Sequence, residues 1–329
     1  MNVYKIFFKL ITKLISLFIN QPFRFMVVLS FLFLVIFYLL GLTGLILSAD
    51  TSLIGEASRW CERVSAGAFR EPVNTLSNLG FMAVGLYLFW IISNESTSSN
   101  NNFIGITSIS LVYAFAAWWL GPGSMLMHGT NTEWGGWADN LSMIMYIIFP
   151  WLYNISLMAR WSLSKFINIY VLIVVVYSVV RWFTSWDLGI GFNLFGTSIG
   201  LWVISEFLYK FWSPLNRFLS GFVGFAVLFL FGTTITDITS NPYEYWWTLL
   251  FWLPGLLSIN KPKGIRTYRW YFLGMIAYMS AFAIWLTGVP NNTNCNPDSL
   301  IQAHGIWHIL SAIATYFFFL HYRSEKTIG

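Results

Sequence analysis

Apolar residues run in long, nearly unbroken blocks along this chain, and polar residues gather in the short intervals between them. Roughly 20 residues of apolar helix cross a hydrocarbon core, so each block is a candidate membrane span. The blocks fall at 25–48, 73–92, 103–127, 138–159, 166–183, 192–211, 217–236, 245–259, 270–289 and 301–322. The block at 245–259 is short and carries Pro254 and Gly255, a composition that also suits a re-entrant segment. The pattern predicts an all-α, polytopic membrane helix bundle of about ten helices. Ahead of the first block, Lys5, Lys9 and Lys13 recur every fourth residue among Phe, Leu and Ile. That spacing draws a basic stripe on an amphipathic helix lying in the interface near anionic headgroups. The apolar run behind it exceeds a signal-peptide core of ~7–15 residues, so it is read as an uncleaved anchor. Residues 1–24 thus form an amphipathic basic segment and 25–48 an amino-terminal span. The polar run 93–102 reads as a flexible loop without chemistry.

Composition removes any soluble alternative: the chain is 57% hydrophobic and 9% charged. Its 18 Trp and 16 Tyr suit rings placed at headgroup level. The net charge of +5 does not indicate nucleic acid, because the basic residues cluster in short loops. Arg160 with Lys165, Lys210 with Arg217, Lys261 with Lys263, and Arg323 with Lys326 join the amino-terminal lysines on one side of the predicted bundle. Asp50, Glu56, Asp187, Asp237, Glu244 and Asp298 fall on the other. Both termini are therefore expected in the cytoplasm. The two cysteines, Cys61 and Cys295, fall on the opposite, oxidising side, either as a disulfide or as two packed thiols.

Polar residues inside the apolar blocks carry the candidate chemistry. His304 and His308 are four apart, which places two imidazoles on one helix face about a turn apart. His128 closes an earlier block, Ser124 precedes it by one turn, and Asp139 opens the next block. Intramembrane ionisable groups are costly and usually functional. Three imidazoles with a hydroxyl and a carboxylate suit a catalytic zinc centre with acid/base and oxyanion helpers. His321 reads as an interfacial residue, and Glu206 and Arg181 as snorkelling groups near helix ends.

These residues carry a family resemblance. Trp60-Cys61-Glu62, the run Glu71-Pro72-Val73-Asn74-Thr75-Leu76-Ser77-Asn78, Ser124 with His128, Asp139, and His304 with His308 resemble the alkaline ceramidases. Those belong to a superfamily of seven-helix membrane hydrolases that includes the progestin and adipoQ receptors. The resemblance covers roughly 60–159 and 290–326. It implies a hydrolase domain over 60–326 with a seven-helix core and added helices, an extra span at 25–48 ahead of it, a Cys61–Cys295 bridge, and zinc held by His128, His304 and His308. It further implies Asp139 as proton shuttle and Ser124 as oxyanion donor. The implied substrate is ceramide or a similar N-acyl lipid, cleaved to a fatty acid and a sphingoid base, with no obligate protein partner. Trp60, Glu62 and Glu71 match a calcium or structural cluster of the family. However, Arg59 and Val64 stand where oxygen ligands are expected, so calcium is disfavoured, and Arg59 or Arg63 is expected to neutralise the glutamates. Two other readings remain: a zinc hydrolase of an ester-linked lipid, or a non-catalytic receptor of the same fold.

Overall fold

The computed structural model describes residues 3–327, and nearly all regular structure in it is helical. Two compact units are formed, one from the described residues up to Asp139 together with Arg266–Lys326, the other from Asn140–Ile265. Among the described residues, six helical segments are long and apolar enough to cross a membrane: Pro22–Leu42, Pro72–Ser93, Ser108–Thr130, Glu133–Met158, Leu163–Phe183 and Ala303–Arg323.

In the first unit, α1 (Val3–Asn20) and α2 (Pro22–Leu42) are separated at Gln21, where Pro22 opens the second helix. Proline suits that place because the first-turn N–H has no helical partner anyway. Lys9 and Lys13 of α1 are exposed, and the side chain of Lys5 lies outside the described residues. Along α2, Met26, Ser30, Phe37 and Gly41 are buried, a one-sided stripe at helical spacing. Lipid tails are as apolar as leucine, so such helices are held by close packing and by hydrogen bonds of roughly 0.6 kcal/mol each. One of these joins α2 to α5 (Ser108–Thr130): the indole N–H of Trp118 donates to Ser30 Oγ at 2.9 Å.

The second span is two helices, α3 (Pro72–Ser77) and α4 (Leu79–Ser93), interrupted at Asn78. The helix α5 begins at 108 and not at 103, because Gly105 takes a left-handed φ of +72° and Thr107 and Ser110 form a reciprocal cap. The helix α6 begins at Glu133, so Asp139 sits in its second turn and not at its start. The closing helices of this unit, α12 (Tyr268–Trp285) and α13 (Ala303–Arg323), pack along each other. The polar run 93–102 departs from its expected idleness. The buried amide of Asn101 donates to the carbonyls of Tyr322, Arg323 and Glu325 at 3.2, 2.9 and 3.0 Å, closing the end of α13. Glu95 pairs with Arg323 through two bonds of 2.7 Å. His321, in the last turn of α13, is fully buried among Tyr268, Tyr271 and Tyr322, with Nδ1 3.2 Å from the carbonyl of Thr267.

The second unit holds the rest of α6, then α7 (Leu163–Phe183), α8 (Leu194–Lys210), α9 (Pro214–Leu230), the short α10 (Ile235–Ser240) and α11 (Leu253–Leu257). The block expected at 245–259 is not one regular helix. A 3₁₀ turn over Trp246–Trp252 gives way to α11 at Pro254, which lacks the N–H that a continuous helix requires. Glu206 does not snorkel: it is buried on α8 and accepts from the Asn154 amide of α6 at 2.9 Å. Arg181 stays at its helix end, bonded to Asn140 Oδ1 at 2.8 Å and the Thr184 carbonyl at 3.0 Å.

Candidate metal centre and active site

All the candidate site residues belong to the first unit. The centre is assembled from the end of α5, the start of α6, the short α3 and the start of α13. His304 and His308 share one face of α13, as their spacing predicts, and both are buried. His128 occupies the last turn of α5, which ends when Asn131 turns left-handed at φ 50°. The three imidazoles offer one ligand atom each, all within 4.8 Å of one another. His304 Nε2 lies 3.0 Å from His128 Nε2.

The rings are aimed from behind. Glu71 Oε2 lies 2.7 Å from His128 Nδ1, and an ionised carboxylate only accepts, so Nδ1 carries a hydrogen and Nε2 is the nitrogen turned toward the other two rings. Ser77 does the same for His308. Its hydroxyl donates to the Asn74 carbonyl at 2.8 Å, leaving its oxygen to accept from His308 Nδ1 at 2.7 Å. With Nδ1 engaged in both rings, Nε2 is the nitrogen that His128 and His308 have left to offer a metal. Among the described residues the cluster is these three imidazoles, a set that could hold a metal ion and whose nitrogen donors suit zinc. The remaining nitrogen, His304 Nδ1, is buried with no protein partner. The ring of Trp60 lies flat on His304 at 4.4 Å.

Ser124 and Asp139 flank the imidazoles. Ser124 Oγ is 3.4 Å from His308 Nε2, and its hydroxyl is hydrogen-bonded to Asp139. The bonded pair of Ser124 and Asp139 thus stands beside the three clustered imidazoles.

Glu62 and Glu71 are used differently from the expectation that arginines neutralise them. Glu62 accepts the first free N–H groups of α3, from Val73 at 2.6 Å and Asn74 at 2.8 Å. Negative charge at a helix amino terminus is favoured by the helix dipole as well as by these bonds. Glu71 takes the Asn74 amide at 2.9 Å besides His128. Burial pushes the Glu62 carboxyl above its usual range. At Glu71 burial acts in the same direction, but the His128 imidazole and the bonds to His128, Asn74 and Ser58 outweigh it and lower the value. Arg63 instead makes a paired contact with Asp298, at 2.6 and 2.7 Å, and Arg59 lies 4.6 Å over the Trp60 ring. The acceptors are filled because both glutamates are turned inward, away from the exposed arginines.

Sequence reasoning gathered Ser124, His128, Asp139, His304 and His308, and the structure brings all five together. It missed Ser77 and gave Glu71 a different role. The available signal was the polar series Glu71, Asn74, Ser77 and Asn78 at helical spacing within an apolar block. Gly305 admits this series closely: a Cβ there would stand 3.4 Å from the Ser77 Cβ. The Cys61–Cys295 disulfide is formed, settling the alternative left open for the two thiols. It ties the Trp60–Glu62 segment to the loop leading into α13.

Comparison with known proteins agrees with this assembly. The ceramidase family profile matches residues 56–327, a stretch that contains every residue of the centre, while no individual curated protein matches. This chain belongs to the ceramidase family, whose members hydrolyse an amide bond of ceramide.

Proposed function

We propose that the chain is an intramembrane, zinc-dependent amidohydrolase that releases a fatty acid and a sphingoid base from ceramide or a closely similar N-acyl lipid. The observation that carries this reading is the convergence of His128, His304 and His308 beside the bonded pair Ser124 and Asp139. A bound Zn²⁺ would supply Lewis-acid chemistry, lowering the pKa of a water and polarising the amide carbonyl. The chain's own groups supply the rest. Glu71 and Ser77 hold two imidazoles in the ligating tautomer. Asp139 takes a proton from the attacking water and returns it to the amine nitrogen as that nitrogen leaves. The Ser124 hydroxyl donates to the carbonyl oxygen as negative charge builds there, an effect strengthened in a buried site.

In this reading the hydrolase domain is 60–326, a seven-helix core, with 25–48 and further helices bringing the total to about ten. Residues 3–24 lie on the membrane with Lys9 and Lys13 toward anionic headgroups, and both ends of the chain face the cytoplasm. Elemental analysis should find about one zinc per chain, falling sharply in His304→Ala. Asp139→Asn should retain the metal and lose turnover about 10²–10⁴-fold. Fatty-acid release from a panel of N-acyl and O-acyl lipids tests the substrate class. Release from esters alone would replace the amide reading with an ester one.

A further inference from the structure

The cations outside the membrane spans of the first unit are unequally used. Arg63 is taken up by Asp298, and the guanidinium of Arg70 donates to the carbonyls of Ser65 and Ser48, both at 3.1 Å. Arg59 is exposed, and among the described residues no carboxylate or carbonyl receives its N–H groups. Its place is nevertheless fixed: the guanidinium lies over Trp60 at 4.6 Å, and Trp60 lies on His304 at 4.4 Å. Stacking uses the face of a guanidinium and leaves its in-plane N–H donors open, the geometry that grips an oxyanion through paired bonds. The layers beneath repeat the imbalance. The indole N–H of Trp60 and the Nδ1 of His304 are both buried with no hydrogen-bond partner among the described residues. Two donors lacking acceptors, the Arg59 guanidinium and the Trp60 indole, are thus stacked above a candidate metal ligand.

We propose that Arg59 recognises an oxyanion carried on the amine half of the N-acyl lipid substrate. The inference rests on the amidohydrolase reading above and narrows its substrate class. The acyl chain of such a lipid lies in the hydrocarbon and its polar end at the interface. Arg59 lies outside the spans, in the loop before α3, so the group it meets belongs to the polar, amine-bearing end. Two chemical sources share this feature: a phosphate ester on the alcohol of a sphingoid base, and a carboxylate next to the amide nitrogen of an N-acyl amino acid.

The test uses the full chain in detergent with three lipids of one acyl length: neutral ceramide, its 1-O-phosphate, and an N-acyl amino acid. Wild type should favour at least one anionic lipid over the neutral one, with the difference carried mainly by KM and weakened by salt. Which anionic lipid shows it identifies the source. In Arg59→Met the ratio of anionic to neutral kcat/KM should fall about ten- to hundredfold, the loss expected for a charge-assisted bond. Arg59→Lys should recover part of it. An equal ratio in wild type and Arg59→Met, or a wild-type preference for the neutral lipid, would overturn the proposal. Equilibrium binding of the same lipids in Asp139→Asn gives a separate readout. If none of the lipids is turned over, the amidohydrolase reading fails, while an Arg59-dependent preference in binding still decides the recognition.

Discussion

Ser77 carries one hydroxyl hydrogen, which goes to the Asn74 carbonyl, and what is left can only accept. That small constraint decides which nitrogen of His308 is free for a metal, and Glu71 decides it for His128. Ser77→Ala and Glu71→Gln should each weaken metal affinity about 10–100-fold, read by competition with a chelator, without unfolding the chain. Because Glu62 and Glu71 already accept from α3 and His128, a selective calcium chelator should leave turnover unchanged. Calcium-restorable loss would show that these carboxylates have a further partner. The histidine cluster was legible in the sequence because two of its members sit one helical turn apart. The orienting residues were not, since Ser77 lies 231 residues from His308 and Glu71 57 from His128. Nothing local marks a serine as the partner of a ring brought in from the far end of the chain.

Helices pack here through places where side chains are missing. On α4, a Cβ added at Gly85 would stand 2.6 Å from the Cα of Trp118 on α5, inside any normal contact, and backbone cannot step aside as a flexible side chain does. Gly85→Ala should therefore separate the two helices and destabilise the bundle by about 1–3 kcal/mol, seen as a lower unfolding midpoint in detergent. The Glu95–Arg323 clasp is an element-scale contact with a pH signature. The bond from Arg323, assisted by its charge, holds the Glu95 carboxyl below its ordinary value of 4.5. A lowered carboxylate contributes its stability above that ordinary value and loses it as pH falls through the lowered one. The midpoint gap between wild type and Glu95→Gln should thus be widest at neutral pH and close in acid, and a gap independent of pH would remove the clasp from the account. Hydropathy located the helices well but not their first turns. Thr107 and Gly105 delay α5, and the polar start of α6 at Glu133 carries no apolar signal.

For the molecule as a whole, the uneven loop charges make orientation testable. A carboxy-terminal reporter that works only in the cytoplasm should be active, and the same reporter placed in the 286–302 loop should be silent. The reverse result would invert the proposed topology. Six spans were legible as long apolar runs, whereas α8, α9 and α12 are only 17 or 18 residues long and the 245–259 block is broken. Hydropathy registers only that 245–259 is apolar, so the pattern alone overstates how regular this stretch is, a 3₁₀ turn followed by a short helix at Pro254. The separation of the ligands along the chain also sets an order of events. His128 and His304 are 176 residues apart, and Cys61 is 234 residues from Cys295. At about 5–20 residues per second, a ribosome leaves His128 with no partner imidazole, and Cys61 with a bare thiol, for roughly ten seconds or more. The bridge must therefore wait for the loop that carries Cys295, and the imidazole cluster for α13 behind it, so a chain stopped short of that loop holds neither.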